Sequence, residues 1–180
     1  MNLTVFRFKK VKSTNNTAIR IAKKLNHKSG MIVSETQTNG KGQYGNKWIS
    51  YKGNLFVSFF HELNSINLSI STLTKINCLI VKKLIENFYK GKIFFKKPND
   101  LLVNKKKISG ILQEILIINK QKFLIVGIGL NIVKSPKIKN YPTINLKELT
   151  NKLVSKIVIE KKLKHLFEKN LSKMYKFRKR

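Results

Sequence analysis

The chain has 180 residues, of which 38 are lysine or arginine and 8 are aspartate or glutamate, so its formal net charge is +30. A domain of this length buries roughly 70% of the surface that the unfolded chain exposes, which allows one core of ordinary size. The single cysteine, Cys78, excludes a disulfide framework and a thiolate metal cluster within this sequence. The N-terminus lacks the apolar run of a signal peptide and no stretch reaches the roughly 18 apolar residues of a membrane span, so we expect a cytoplasmic protein without a membrane segment.

The positive charge is spread along the whole chain instead of being gathered in one segment. Only 4 of the 38 basic residues are arginine, and asparagine and isoleucine are also abundant. This composition favours a solvated basic surface over a dedicated nucleic-acid interface. A basic nucleic-acid-binding module nevertheless stays open as an alternative function.

The first third of the chain predicts strands around one helix. NLTVFRF (2–8) alternates apolar residues as a strand does, and STNNTAIRIAKKLN (13–26) has helical spacing behind Ser13 as a potential N-cap. MIVSETQ (31–37) and NLFVSFF (54–60) predict two further strands. The second of these is apolar at both parities, which is typical of a sheet that is covered on both faces.

A glycine-rich segment, TNGKGQYGNKW (38–48), separates these two strands and is predicted to be a loop without regular structure. Its glycines let backbone N–H groups approach a ligand, and Lys41 and Lys47 add positive charge, as in an anion cradle. The segment lacks the Gly-Lys-Ser/Thr ending of a P-loop, which argues against that class of ATP site. An ordinary surface turn is the alternative.

The middle of the chain predicts a long amphipathic helix in LSISTLTKINCLIVKKLIENFYK (68–90), followed by short strands on either side of Pro98. Asn99 and Asp100 would then present an amide and a carboxylate in a turn at the sheet edge. Lys107 follows seven residues after Asp100, so a short hairpin can bring its ammonium near the carboxylate. Such a lysine can stabilise charge on an acyl or phosphate oxygen, and such an aspartate can orient or deprotonate an attacking amine. An ordinary Asx turn is the alternative.

The last third predicts an antiparallel hairpin of KISGILQEILII (107–118) and KFLIVGIGLNI (122–132). The pattern then loosens, and a C-terminal helix is expected over about residues 152–176. The predicted fold class is α/β (α+β), with a mixed, largely antiparallel sheet flanked by helices. We find no internal repeat and expect one domain over residues 1–180.

Three segments resemble the signature sequences of the biotin-protein ligases (biotin–[acetyl-CoA-carboxylase] ligases): SETQTNGKGQYGNKW, KKPNDLLVNKKKISGILQE and VGIGLNI. STNN at residues 13–16 is similar to a fourth, and the resemblance covers roughly residues 5–133. It implies the class II synthetase-like catalytic fold and a two-step reaction. Biotin and Mg-ATP form biotinyl-5′-AMP, and the biotinyl group then passes to one lysine of a biotin carboxyl carrier protein.

The resemblance also implies residue roles. Catalytic roles fall to Lys107, Asp100 and Lys41, with no direct protein ligand for Mg²⁺. Substrate binding falls to a larger set, namely Ser13, Thr14, Asn15, Gln37, Gly40, Gly42, Gln43, Trp48, Asn99, Gly110 and Asn131. Within this set, Ser13, Thr14 and Gln37 would bind the ureido end of biotin, and Trp48 and Asn131 would line the nucleotide side.

Several features depart from the family pattern. The glycine loop of the family is often rich in arginine, whereas this chain has Lys41, Gln43, Tyr44 and Asn46 there, and lysine does not replace arginine equally at a bidentate phosphate contact. We recognise no N-terminal winged helix, so no specific DNA binding is expected, and no C-terminal β-domain. Because relatives dimerise, a homodimer is left open.

Three other functions remain open at this stage. A lipoate-protein ligase or octanoyltransferase shares the sheet and the acyl transfer to lysine, but is not expected to combine this glycine loop with Pro-Asn-Asp. A degenerate ligase would bind biotin without turnover. The basic nucleic-acid-binding module would explain the charge but not the positions of Asp100 and Lys107.

Overall fold

The computed structural model describes residues 2–25, 27–63 and 68–176. The strands are β1 (Thr4–Val11), β2 (Ser29–Gln37), β3 (Gly40–Lys41), β4 (Lys47–Trp48), β5 (Leu55–Glu62), β6 (Phe94–Lys96), β7 (Asp100–Val103), β8 (Lys106–Ile118) and β9 (Gln121–Leu130). The helices are α1 (Thr14–Leu25), α2 (Ile70–Glu86), α3 (Leu146–Thr150) and α4 (Lys156–Lys176).

Seven of these strands form one sheet, in the order β1-β2-β5-β9-β8-β7-β6. Strands β1 and β2 are parallel and every other neighbouring pair is antiparallel. Strands β3 and β4 form a separate two-stranded ribbon. The predicted fold class, a mixed and largely antiparallel sheet flanked by helices, is confirmed.

Helices cover both faces of the sheet. The larger core lies between one face and the helices α2 and α4, where Phe59 of β5 stacks on Phe167 of α4 with ring centroids 3.8 Å apart. On the other face, Ala18 and Ile21 of α1 pack over Phe60. This double cover explains why β5 is apolar at both parities. No helix of the described residues is long and apolar enough to cross a membrane.

Two tight hairpins fix the register of β7, β8 and β9. Asn104-Lys105 and Asn119-Lys120 form the turns, and all four residues have positive φ, between 48° and 63°. Two successive residues with positive φ form a type I′ turn, whose backbone twist matches the right-handed twist of the paired strands. A register shift between Leu101 and Leu102 then places Asp100 opposite Gly110, and Gly110 lies opposite Gly129. The predicted hairpins are confirmed, with a two-residue turn at each.

The structure corrects two local predictions. Asp100 is the first residue of β7 and not part of the turn before it. The glycine-rich segment was expected to lack regular structure, but Gly40 pairs with Trp48 across the β3–β4 ribbon, because the glycines allow the chain to fold back on itself. Between the two strands, Gln43–Gly45 form a 3-10 turn.

The C-terminal region also differs from the prediction in detail. The short helix α3 was not predicted; Asn145 caps it by accepting a hydrogen bond from the Glu148 N–H, at 2.9 Å. It ends at Asn151, whose φ of 53° cannot continue a helix. Helix α4 therefore begins at Lys156 instead of near residue 152, and residues 177–180 of the predicted tail lie outside the described residues.

Candidate active site

A small cavity of about 30 Å³ lies between the start of α1, the glycine-rich segment and the middle of β8 and β9. One water molecule needs roughly 10–15 Å³ of such space, so the cavity has room for about two waters. Eleven residues line it, namely Ser13, Thr14, Asn15, Gln37, Lys41, Trp48, Gly110, Leu112, Gly127, Ile128 and Gly129. Seven of these were predicted from the sequence as site residues, so residues from four separate segments do meet here.

Glycines form the floor of the cavity because larger side chains would collide with its walls. A Cβ on Gly129 would lie 2.3 Å from Cε2 and Cζ2 of Trp48, and one on Gly110 would lie 2.9 Å from Cζ3 of the same ring. A Cβ on Gly127 would lie 2.3 Å from Oδ1 of Asn15. Sequence reasoning did not name Gly127 and Gly129, although two glycines at alternate positions of a strand signal a close approach on one face.

Thr14 and Gln37 form the polar end of the cavity. The Thr14 backbone N–H and the Thr14 hydroxyl both donate to Oε1 of Gln37, at 2.8 and 3.1 Å. Gln37 in turn donates from Nε2 to the Ser50 hydroxyl at 3.2 Å. Ser13 precedes α1, and its carbonyl accepts hydrogen bonds from the Thr17 N–H and hydroxyl, at 3.0 and 2.9 Å. The first turn of α1 thereby presents several donors and acceptors beside the cavity.

Asn15 fastens the start of α1 to the sheet. Its Nδ2 donates to Oε2 of Glu114 at 2.6 Å, and its Oδ1 accepts from the Ser58 hydroxyl at 2.5 Å. Asn15 is buried, so both ends of the amide are held by protein groups. Sequence reasoning missed Glu114; an acidic residue inside the apolar run ILQEILII was the available signal.

The predicted pairing of Asp100 with Lys107 is present. Nζ of Lys107 lies 2.8 Å from Oδ1 of Asp100, and both side chains are mostly buried. The Tyr141 hydroxyl donates to the other carboxylate oxygen, Oδ2, at 2.5 Å. Nζ of Lys107 also lies 5.4 Å from the ring centroids of both Trp48 and Tyr141. The ammonium is therefore enclosed between a carboxylate and two aromatic rings, next to the cavity.

Tyr141 was not predicted, because it lies where the apolar periodicity is lost. Its segment is attached to β8 at Lys107, whose N–H donates to the Pro142 carbonyl at 2.8 Å and whose carbonyl accepts from the Ile144 N–H at 2.9 Å. Burial, followed by the hydrogen bond to Asp100 and by the charge of Asp100, raises the pKa of Tyr141. The hydroxyl is therefore protonated at neutral pH and acts as a donor.

Two predicted site residues contact the backbone instead of lining the cavity. Nδ2 of Asn99 donates to the Ile111 carbonyl at 2.7 Å, and Nδ2 of Asn131 donates to the Ile144 carbonyl at 3.1 Å. Asn131 is only 1% exposed, and its Oδ1 has no hydrogen-bond partner among the described residues. Asn131 holds the segment that carries Tyr141 against the end of β9.

The glycine-rich segment is held by few contacts. Nζ of Lys41 donates to Oδ1 of Asn16 at 3.0 Å, the Gly42 N–H donates to the Asn46 carbonyl at 2.7 Å, and Tyr44 is 92% exposed. Oε1 of Gln43 and Nε1 of Trp48 are buried, and neither has a hydrogen-bond partner within the described part of the chain. Gly40 is buried directly behind Trp48, where a Cβ would meet the Trp48 carbonyl at 2.6 Å.

Across residues 2–25, 27–63 and 68–176, no three His, Cys, Asp or Glu side chains come together as a metal site. Burial lowers the pKa of His61 to about 4, so its ring is neutral at neutral pH. Charged side chains close to the cavity include Lys41, the Asp100–Lys107 ion pair, and Glu114, which accepts a hydrogen bond from Asn15.

Residues 6–131 match the model of the family described as "Biotin/lipoate A/B protein ligase family". The chain is 30% identical over 126 residues to the bifunctional ligase/repressor BirA of Bacillus subtilis (strain 168), which covers 69% of this chain and 39% of that protein. Its fold is similar to that of the biotin protein ligase from Aquifex aeolicus in complex with biotin and ATP, with a TM-score of 0.80 and 27% identity over 94% of this chain and 71% of the other.

A more distant similarity, with a TM-score of 0.58 and 17% identity, links the chain to P. falciparum LipL1 in complex with lipoate, over 92% of this chain and 63% of the other. This second likeness concerns the fold alone. The matched region spans about two fifths of the length of the Bacillus protein. The family model covers well over half of the residues, and the chain belongs to the biotin/lipoate A/B protein ligase family.

Proposed function

We propose that this chain is a biotin protein ligase. It would activate biotin with ATP as biotinyl-5′-AMP and transfer the biotinyl group to a lysine of a biotin carboxyl carrier protein. The observation that supports this most is the Asp100–Lys107 ion pair, at 2.8 Å, beside a glycine-floored cavity whose other end carries Thr14 and Gln37. At one end, Lys107 would provide positive charge for the carboxylate of biotin and the phosphate of ATP. At the other end, Thr14 and Gln37 would provide hydroxyl and amide groups that can hydrogen-bond to the ureido ring of biotin.

Biotin requires more space than the cavity of about 30 Å³ provides. The Trp48 ring rests directly on Gly110 and Gly129, so its movement away from the floor would open the site between the apolar walls formed by Leu112 and Ile128. The unpaired buried Nε1 of Trp48 supports such a movement, since an unsatisfied buried donor is unfavourable. After biotin binds, the backbone around Gly40 and Gly42 would close over it and exclude water.

In the first step, a carboxylate oxygen of biotin attacks the α-phosphorus of ATP. A new O–P bond forms, the bond from that phosphorus to the bridging oxygen of the β-phosphate breaks, and pyrophosphate leaves. Lys107 would stabilise the negative charge that builds up on the acyl and phosphate oxygens, and Lys41 would assist from the glycine-rich segment. Magnesium would neutralise phosphate charge; with no protein metal cluster among the described residues, it would be held mainly by the phosphates themselves.

In the second step, the acceptor lysine amine attacks the acyl carbon of biotinyl-5′-AMP. A C–N bond forms, the C–O bond to the phosphate breaks and AMP leaves. We assign Asp100 to orient this amine and to accept its proton, because it is a buried carboxylate next to Lys107, the residue assigned to the acyl and phosphate oxygens. Ser13, Thr14, Asn15 and Gln37 would position biotin.

The proposed reaction also implies a protein partner and a cellular location. The proposed partner is the carrier protein, which the net charge of +30 would attract where the carrier surface is acidic. The requirement for ATP supports a cytoplasmic location. Trp48 and Asn131 stay predicted to line the nucleotide side, and Asn99 and Gln43 stay predicted substrate-binding residues. The absence of specific DNA binding stays a prediction, and so does a homodimer. We treat residues 2–176 as one catalytic domain because the helices pack on one seven-stranded sheet.

A lipoate or octanoate ligase is the second candidate, supported by the fold similarity to LipL1. We rank it lower because the present site combines the glycine-rich segment with the Asp100–Lys107 pair, a combination that the sequence resemblance associates with biotin. The two candidates differ in the acid that they activate, so a substrate comparison separates them.

The test is pyrophosphate release from Mg-ATP by the purified chain, with biotin, lipoate and octanoate supplied in parallel. Biotin-dependent release, abolished in Lys107→Ala, is the expected result. Release with lipoate or octanoate alone would move the chain to the second candidate. No release with any of the three acids would contradict the proposed activity.

A further inference from the structure

We propose that Tyr141 is a positioning residue that holds Asp100 ready for the acceptor lysine during the transfer step. This inference rests on the proposed function. It starts from the observation that the two oxygens of the Asp100 carboxylate have different partners. Oδ1 lies 2.8 Å from Nζ of Lys107, whereas Oδ2 accepts the Tyr141 hydroxyl at 2.5 Å.

Lys107 and Tyr141, the two partners of the Asp100 carboxylate, have different roles in the proposed reaction. Lys107 is needed at the acyl and phosphate oxygens, and an ammonium that turns toward those oxygens weakens its contact with Asp100. Tyr141 has no such second task, so its hydrogen bond persists when Lys107 turns away. Without it, the carboxylate would lose its remaining donor at the moment when the acceptor amine arrives, and a buried charge with no donor is costly.

The backbone keeps Tyr141 in this place independently of its hydroxyl. Lys107 forms a parallel bridge with Thr143, and Asn131 donates to the Ile144 carbonyl at 3.1 Å. The residues that follow Tyr141 are therefore attached both to β8 and to Asn131. The Tyr141 ring lies between two ammonium groups, with Nζ of Lys96 at 4.4 Å and Nζ of Lys107 at 5.4 Å from its centroid. These contacts need the ring and not the hydroxyl, so Tyr141→Phe removes a single hydrogen bond.

The charged and titratable groups around Asp100 come from four elements. They are Lys107 of β8, Lys96 of β6 across the Tyr141 ring, Tyr141 itself, and Cys78 of α2. The pKa of Cys78 is raised to about 12, first by burial and then by the Asp100 charge, so the thiol carries no charge at neutral pH. Of the neutral neighbours, only Tyr141 donates to the carboxylate through a hydrogen bond that the structure resolves. Its loss therefore leaves Oδ2 of the buried carboxylate without this donor.

The experiment compares the wild-type chain with Tyr141→Phe in two separate steps. Adenylate is formed with biotin and Mg-ATP and followed by pyrophosphate release; it is then mixed with a purified biotin carboxyl carrier domain, and single-turnover transfer is followed across pH. A hydrogen bond to a charged group corresponds to about a tenfold effect, so transfer should slow about tenfold. The loss should appear in transfer at each pH, while adenylate formation stays within about twofold.

Tyr51→Phe is the matched control, since the Tyr51 ring also lies under a lysine, Nζ of Lys134 at 4.6 Å, but makes no hydrogen bond to Asp100. If Tyr141→Phe transfers at the wild-type rate with an unchanged profile, the inference is overturned and the proposed function stands. Equal losses in both steps, with a lower melting temperature, would also overturn it, because they indicate a structural role. A wild-type chain that forms no adenylate would overturn the inference together with the proposed function.

Discussion

The two sides of the cavity are built in opposite ways. On the strand side, the residues that carry charge or make space lie on β7, β8 and β9, whose register is fixed by two type I′ turns and by continuous pairing from Ser109 to Ile118. On the loop side, the glycine-rich segment consists of two-residue strands and one 3-10 turn, and its Tyr44 is 92% exposed.

This difference separates two tasks. A group that stabilises developing charge has to be held in place before the reaction, and strand register provides that at Asp100 and Lys107. A cover has to let substrate in and product out, and a segment with few contacts can move at low cost. The comparison therefore predicts that changes to the charged residues of the strand side affect reaction rates, whereas changes on the loop side other than at Lys41 mainly affect substrate binding.

The largest effect is expected for Lys107→Ala. Removing one stabiliser of transition-state charge typically lowers a rate by about 10²–10³-fold, so biotin-dependent pyrophosphate release should fall by at least that much. The fold should survive, because the change removes a charge and little core. The matched control is Lys106→Ala, at the exposed neighbouring position of β8. Pyrophosphate release at the wild-type rate in Lys107→Ala would remove this residue from the proposed role.

Asp100→Asn should affect the second step more than the first. Loss of a general base costs about 10²-fold or more, so transfer to the carrier should slow by that factor while adenylate still forms. Single-turnover transfer from preformed adenylate measures this directly. Glu86→Gln is the control; it changes an exposed acid on α2 whose ion pair is with Lys82, at 3.8 Å. An unchanged transfer rate would exclude Asp100 as the base.

Gly129→Ala tests the boundary between the two sides. The new Cβ would meet the Trp48 ring at 2.3 Å and push the loop outward, so we expect an increase of about tenfold in the KM for biotin with a smaller change in kcat. In a Trp48→Phe background the colliding atoms are absent, and the added cost of Gly129→Ala should shrink. Equal costs in both backgrounds would show that contact with Trp48 is not the reason.

The smallest effect concerns a site remote from the cavity. Glu168 on α4 accepts from the Leu3 N–H at 2.8 Å and from Nζ of Lys164 at 2.6 Å. Burial opposes ionisation, but the hydrogen bonds from Lys164 and Leu3 and the Lys164 charge together lower the pKa of Glu168. A lowered pKa means that the carboxylate stabilises the fold above the unfolded value of about 4.3, and that this contribution is lost as pH falls through the folded value.

Glu168→Gln should therefore lower the free energy of unfolding by about 1 kcal/mol at pH 7, with a smaller difference from wild type near pH 3. Thermal unfolding at the two pH values measures this difference. Adenylate formation at pH 7 should stay at the wild-type rate. A stability difference that grows on acidification would contradict the assigned direction of the pKa.

Local patterns predicted only part of the strand side of the site, since Gly127 and Gly129 of β9 and Glu114 of β8 were not named. Apolar alternation and a polar turn predicted the β8–β9 hairpin, and the spacing of Asp100 and Lys107 predicted their contact. Contacts between distant segments were not predictable in this way. Asn15 and Glu114 are 99 residues apart and Tyr141 and Asp100 are 41 apart, so no local period connects them. The segment that contains Tyr141 is positioned by backbone hydrogen bonds to Lys107. Backbone hydrogen bonds do not depend on side-chain identity, so the sequence of this segment does not reveal them.

We propose that the strand side supplies the charge for an acyl-adenylate reaction. The most direct measurement is a single turnover with biotin and ATP labelled at the α-phosphate, first without a carrier and then after a carrier domain is added. We predict that labelled biotinyl-5′-AMP accumulates on the wild-type chain, is absent from Lys107→Ala, and is converted to AMP as the carrier gains biotin. Labelled adenylate at equal levels in both proteins, or none in the wild-type chain, would contradict this account.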